Sequence, residues 1–285
     1  MENKQIVGEL LHGVTPEAEY ERLRDWHNLK PLSNAGNLVV DYFTLEERLN
    51  TRMKSNLSFY DFLRDFDTYI TKEGIRRLYD QNPEHHHVIR ARNAYKLYFG
   101  NPTIFKPLLT IRILNQLPEC KTGLLDPTMG WGGRAVGTSI LNIPKYIGID
   151  SNHNLEEPYK RLVEFLRERS NTEYQLIFRD CLEVEYSTLE YDAIVTSYPY
   201  YNIERYSHYK QYNSKRKMNE GFFKPLTTRI YDGLKAGGYM ALNVNPEIYD
   251  FIKTFMGQCC LEIPIICRNR NTKYRESVYV WFKPL

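Results

Sequence analysis

The chain has 285 residues, 42% apolar and 26% charged, with a net charge of +3. That composition excludes a disordered polypeptide or a coiled coil and leaves room for one large domain, or one domain with a substantial extension. No apolar run is long enough to span a membrane, and the opening Met1-Glu2-Asn3-Lys4-Gln5 lacks the apolar stretch of a signal peptide.

Residues 1–100 read as mainly helical. Thr15-Pro16-Glu17-Ala18-Glu19 has a cap, a proline in the first turn and early acids. Similar signals open helices at Thr44-Leu45-Glu46-Glu47 and at Ser58, the latter with apolar residues at 59, 62, 63, 66 and 70. His85-His86-His87 reads as a polar helix start with nucleic-acid contact open, because adjacent histidines cannot converge on one ion. Gly100-Asn101-Pro102 is the clearest break, which divides a helical N-terminal region (1–100) from a second domain (101–285). Beyond it strands and helices alternate: helix 106–117, strand 123–126, a helix from Gly133, strand 145–150, helix 155–170 and strand 174–179. Strand 191–197 follows, then a long loop, helix 222–235, strand 238–244, helix 246–257, and strands 261–268 and 277–283. Strands buried on both faces and joined by helices predict an α/β fold, a parallel doubly wound sheet. The last two are joined too tightly for a crossover, which predicts an antiparallel hairpin strand at the end.

Two strand-to-turn segments carry the chemistry. The first is Leu124-Leu125-Asp126-Pro127-Thr128-Met129-Gly130-Trp131-Gly132-Gly133-Arg134. Its glycines let the backbone approach a ligand, and the helix that follows favours a carboxylate at its start. The spacing Gly-x-Gly-Gly-x-x-x-Gly departs from the dinucleotide fingerprint, and Asp126-Pro127 is no part of that fingerprint. Asp150 and Asp180 end the next two strands, so three acids close three successive strands. The second segment is Asp192-Ala193-Ile194-Val195-Thr196-Ser197-Tyr198-Pro199-Tyr200-Tyr201-Asn202, a buried strand running into an aromatic, proline-kinked turn.

Together these segments resemble the S-adenosylmethionine-dependent amino-methyltransferases of nucleic-acid bases, whose patterns are Asp-Pro-Phe-x-Gly-x-Gly and (Asp/Asn/Ser)-Pro-Pro-(Tyr/Phe/Trp). The resemblance covers roughly residues 102–285 and implies a Rossmann-like class I methyltransferase fold with S-adenosyl-L-methionine as cofactor. Asp126 and Gly130 would then approach its methionine part, with Pro127, Thr128, Trp131 and Gly132 also binding the cofactor. Asp150 would accept from its ribose hydroxyls, Asp180 from its adenine amino group, and Ile149 and Cys181 would line the adenine. Lys106, in Phe105-Lys106-Pro107-Leu108-Leu109, matches the Lys-Pro-x-x-Leu helix that precedes the glycine loop in many such enzymes. Ser197, the carbonyl of Tyr198, Pro199 and Tyr200 would form the catalytic turn: acceptors for the amine protons and a ring for a base flipped from its stack. Ser197 also borders the cofactor. Tyr198 departs from the pattern, which has its first proline there.

Charge and rings support a nucleic-acid partner. Residues 1–100 carry 14 Lys/Arg against 15 Asp/Glu, so the positive excess lies in the second domain. From Glu204 to Arg229, seven basic residues (Arg205, Lys210, Lys215, Arg216, Lys217, Lys224, Arg229) face two acids, with Tyr206, Tyr209 and Tyr212 interleaved and Tyr201 just before them as a further nucleic-acid contact. A second basic turn holds Arg268, Arg270, Lys273 and Arg275. Such loops neutralise phosphates and stack bases. The expected reaction is methylation of N6 of adenine or N4 of cytosine in DNA, with residues 1–100 helping to grip the target. RNA bases, a protein glutamine, or a non-catalytic nucleic-acid-binding subunit remain as alternatives. The five cysteines (Cys120, Cys181, Cys259, Cys260, Cys267) are odd in number and lack Cys-x-x-Cys spacing. Neither a disulfide framework nor a metal site is indicated, and a reducing, cytoplasmic setting is expected, a host cell's if the source is a virus.

Overall fold

A computed structural model describes residues 2–53, 56–118, 121–201, 204–205, 212–265 and 276–285, with backbone alone at Met53, Glu204 and Arg205. The N-terminal part holds helices α1 (Asn3–Leu10), α2 (Pro16–Arg24), α3 (Asn37–Asn50), α4 (Phe59–Arg64), α5 (Phe66–Tyr69), α6 (Glu73–Tyr79) and α7 (His87–Phe99), with a short strand β1 (Arg52–Met53) after α3. Helix α3 starts well before Thr44. Gly36 turns the chain with φ +83°, a left-handed conformation that costs glycine little, and Thr44 lies in the helix interior. Ser58 opens α4 with a reciprocal capping box to Asp61, but the helix stops at Arg64 and restarts at Phe66. His86 caps α7 by accepting from the Val88 N–H, and faces Glu9 at 2.9 Å.

The second part alternates: α8 (Pro107–Gln116), β2 (Gly123–Asp126), α9 (Gly133–Ile140), β3 (Lys145–Asp150), α10 (Glu156–Arg167), β4 (Glu173–Phe178), β5 (Ala193–Ser197). A short β6 (Glu204–Arg205) pairs antiparallel with β1, Arg52 opposite Arg205. Then come α11 (Lys215–Met218), a π-helical turn over Asn219–Phe223, α12 (Lys224–Asp232), β7 (Tyr239–Val244), α13 (Pro246–Met256), β8 (Leu261–Pro264) and β9 (Ser277–Phe282).

Seven strands form one sheet in the order β4-β3-β2-β5-β7-β9-β8. All neighbours are parallel except β9, which runs antiparallel to both β7 and β8. The expected hairpin strand is therefore inserted between β7 and β8. Side chains alternate across the sheet. Leu124, Tyr146, Ala193 and Ala241 face a core shared with α8, α9 and α10, and their neighbours Leu125, Ile147, Ile194 and Met240 face the core of α12 and α13. Tyr20, Leu23, Val39, Val40 and Phe43 of α2 and α3 belong to the first of these cores. A separate apolar cluster joins the far half of α3 (Leu45, Leu49) to α1, α4 and α7. The order of connection reverses between β2 and β5, which opens a crevice at their carboxyl ends.

Candidate active site

That crevice is built from the two strand-to-turn segments, and hydrogen bonds lock them together. Asp126, at the end of β2, is 0% exposed. It accepts from Arg134 Nε at 2.6 Å, the Tyr146 hydroxyl at 2.8 Å and the Thr196 hydroxyl at 3.1 Å. Burial pulls the Arg134 guanidinium down, but the Asp126 carboxylate and its hydrogen bond more than offset that and leave its pKa above the ordinary value. Arg134 also donates to the Thr128 carbonyl. The Thr128 hydroxyl meets that of Thr196 at 2.7 Å and donates to the Ser197 carbonyl at 3.0 Å. A continuous polar chain thus runs from the first strand end to the second.

The glycine loop is held from its other side as well. Gly130 has φ +55°, and its N–H donates to Asp150 Oδ2 at 2.9 Å. The Tyr159 hydroxyl lies 3.2 Å from the Met129 carbonyl and 3.1 Å from that of Gly130. Gly133 serves packing. A Cβ there would lie 1.8 Å from the Phe105 carbonyl oxygen, so only glycine lets α9 start against the segment before α8.

These elements enclose a cavity of about 800 Å³, within the size range of ligand sites. Pro127, Thr128, Gly130, Trp131, Asp150 and Lys106 line one part. Asp180, Cys181, Ser197, Tyr198, Pro199 and Tyr200 line the rest of the predicted surface. Asp126 and Gly132 stand behind the wall: Asp126 is consumed by its partners, and Gly132 packs toward Leu162. Ile149 is fully buried and likewise set back from the cavity. Asp150 faces the cavity and is partly buried. Burial pushes its carboxyl up to about 6 against the Gly130 and Asn152 N–H groups that hold it down. Each of its oxygens accepts one of those N–H groups, which leaves a lone pair on each. Asp180 takes the Leu182 N–H on Oδ1. Burial raises the Cys181 thiol pKa, so that side chain contributes neutral, apolar wall.

The departure at Tyr198 has a physical explanation. Its side chain is 1% exposed and points away from solvent into the core under the turn. It stacks on Phe223 at 5.7 Å, meets Phe222 edge-on at 5.9 Å, and shares a 2.9 Å hydrogen bond with the Thr227 hydroxyl. The π-helical turn 219–223 places those two adjacent rings in the core as its seat.

The sequence did not single out Arg134, Thr196, Asn243 or Glu276. Arg134 carried a signal, a charge in an otherwise small and apolar helix start. Glu276 carried none. It lines the cavity beside the turn; burial raises its pKa, while hydrogen bonds with Tyr200 and Asn243 hold it down. Asn243 pairs with Ser197 across β5 and β7.

The basic segments fare differently. Lys215 pairs with Glu247 at 2.7 Å and lies 4.9 Å over the Tyr201 ring, whose hydroxyl donates to Asn219. Arg216 and Lys217 are exposed on α11. Arg229 faces inward, donating to the Leu182 and Val184 carbonyls, so it braces the wall that carries Cys181. Only the backbone of Arg205 is described. Lys210, Arg268, Arg270, Lys273 and Arg275, with Tyr206 and Tyr209, lie outside the described residues. Among the described residues, no cluster of three His, Cys, Asp or Glu side chains is placed to hold a metal, and no helix is long and apolar enough to cross a membrane.

No known family profile and no curated protein matches the chain. Solved structures resemble it at low identity. A candidate class I S-adenosylmethionine-dependent methyltransferase from Listeria monocytogenes aligns over 99% of this chain and 88% of its own, with TM-score 0.49 and 11% identity. NSun6 from Pyrococcus horikoshii with SFG covers 66% and 54%, with TM-score 0.46 and 12% identity. An rRNA methylase from Streptococcus thermophilus covers 65% and 100%, with TM-score 0.40 and 15% identity. The sheet order, the one reversed strand inserted beside the edge, and the crevice between β2 and β5 make this a Rossmann-like class I methyltransferase fold.

Proposed function

We propose that the protein transfers a methyl group from S-adenosyl-L-methionine to an exocyclic amino nitrogen of a nucleic-acid base, in DNA at N6 of adenine or N4 of cytosine. The observation that carries this reading is one continuous cavity lined both by the glycine loop with Asp150 and by Ser197–Tyr200. The residues fit the cofactor. Gly130 brings bare backbone to the wall, Asp150 keeps lone pairs for ribose hydroxyls, and Cys181 offers apolar surface to adenine. When bound, S-adenosylmethionine supplies an electrophilic methyl group on a sulfonium.

The chain's own part is to bind and orient. An exocyclic amine has its lone pair delocalised into the ring, so acceptors for its protons free that pair for attack. Ser197 and the Tyr198 carbonyl are those acceptors, and the Tyr200 ring stacks on the base. The ring of Tyr198 stays in the core, so the missing proline leaves the acceptor role of its carbonyl available. Lys215, Arg216 and Lys217 supply exposed charge for phosphates.

The test is incubation with methyl-labelled cofactor and duplex DNA, single-stranded DNA or RNA, followed by nucleoside mass spectrometry. Labelled N6-methyladenine or N4-methylcytosine in DNA supports the reading. Label confined to RNA moves the substrate to RNA, and label on no nucleoside overturns it.

A further inference from the structure

Helix α3 lies outside the sheet, yet two of its side chains reach two loops that line the cavity. Thr44, 0% exposed, shares its hydroxyl proton between the Val40 carbonyl at 2.9 Å and the Trp131 carbonyl of the glycine loop at 3.1 Å. Three positions on, on the same helix face, Glu47 Oε1 accepts from Asn152 Nδ2 at 2.9 Å and Asn154 Nδ2 at 3.2 Å.

Asn152 is 3% exposed and follows Asp150 closely. Its backbone N–H donates to Asp150 Oδ1 at 2.9 Å, and its side-chain oxygen takes the Asn154 N–H at 3.1 Å. Asp150 in turn holds the Gly130 N–H. The contacts therefore run from Glu47 through Asn152 and Asp150 to the glycine loop that Thr44 holds from its far side. Trp131, Asp150, Asn152 and Gly130 all line the cavity. Packing alone does not require these bonds, because Val39, Val40 and Phe43 already seat α3 on the core. A carboxylate that accepts from two amides fixes them more firmly than a neutral acceptor does. Groups that grip a ligand lose affinity when their supporting shell is loosened.

We propose that Thr44 and Glu47 are positioning residues for the cofactor loops, so that the N-terminal region sets the affinity for S-adenosylmethionine. This rests on the cofactor reading of the cavity. Neither residue lines the cavity; Thr44 acts through the Trp131 carbonyl, and Glu47 through Asn152 and Asp150.

The experiment is calorimetric titration of the full chain with S-adenosylhomocysteine, with kinetics on DNA alongside. Glu47→Leu is expected to raise Kd roughly tenfold and KM for the methyl donor in parallel, while kcat at saturating donor and KM for DNA stay within about twofold. Glu47→Gln keeps an acceptor oxygen and is expected within about threefold of the parent. Thr44→Val repeats the test without touching a charge, and Thr44→Ser restores affinity. Unchanged Kd in Glu47→Leu and Thr44→Val, from a parent protein that binds, overturns the inference alone. So does an equal loss in Glu47→Gln and Thr44→Ser. A parent protein that binds no S-adenosylhomocysteine overturns the cofactor reading and the inference with it.

Discussion

Tyr198 gives the sharpest test of how the turn after β5 is built. Replacing it with proline installs the residue that the amino-methyltransferase pattern carries, so a reading from motif alone expects a neutral or improved protein. The structure expects the opposite. Truncating a fully buried aromatic ring costs about 3–5 kcal/mol. The Thr227 hydroxyl, itself 0% exposed, would lose its partner at a further cost of about 1–3 kcal/mol. The proline ring refills a minor part of the space, so the net loss is at least about 4 kcal/mol. That is a large share of the ~5–15 kcal/mol that holds a domain folded. Tyr198→Phe keeps the stacking on Phe223 and loses only the hydroxyl, about 1–2 kcal/mol. Equilibrium urea denaturation at 25 °C reads both, with an unchanged slope and a displaced midpoint. A Tyr198→Pro protein within 1 kcal/mol of the parent would refute the argument that this side chain serves the core.

Three further outcomes follow from the geometry. Arg134→Met leaves the Asp126 carboxylate buried without its cation and is expected to cost about 3–5 kcal/mol, whereas the Asp126→Asn/Arg134→Met double variant regains much of that; denaturation of all four proteins gives the coupling. On the proposed cofactor reading, Asp150, whose carboxyl burial pushes up to about 6, accepts ribose hydroxyls in its ionised form. Bound S-adenosylhomocysteine therefore lowers its pKa, and Kd measured by calorimetry should rise as pH falls below about 6, approaching tenfold per unit, while Asp150→Asn gives a weaker and flatter profile. Gly133→Ala forces a methyl group onto the Phe105 carbonyl and should lower stability by about 3 kcal/mol. Gly8→Ala in α1 meets no atom within 4 Å and should gain about 0.5 kcal/mol; thermal melts compare the two.

The sheet was legible because its central strands are buried on both faces and alternate with helices. The end residues Asp126, Asp150 and Ser197 fall where the sequence put strand ends. Element limits were less readable where tertiary contact outweighs local pattern. Thr44 followed by two acids has the form of a cap, but Gly36 starts the helix, and the threonine hydroxyl is engaged in the interior. The apolar spacing from Phe59 to Ile70 suits one helix, and the chain breaks it at Asp65. The site shows the same division. Acids at strand ends stand out in a one-dimensional reading. That Asp126 would be used up by Arg134, Tyr146 and Thr196, and that Tyr198 would turn inward onto a π-helical seat, depends on partners up to 70 positions away.

The pairing of β1 with β6 bears on how the molecule is made. Arg52 finds its ladder partner only at Arg205, Thr44 its carbonyl acceptor 87 residues downstream, and Glu47 its amide donor 105 residues downstream. Helices α2 and α3 leave the ribosome carrying Tyr20, Leu23, Val39 and Phe43, whose shelter includes helices α9 and α10, not yet synthesised. Contacts of such long range close slowly, and until they do the nascent chain displays sticky surface. A polypeptide halted near Gly100 would keep that surface bare, so early termination should yield aggregates or chaperone-bound species.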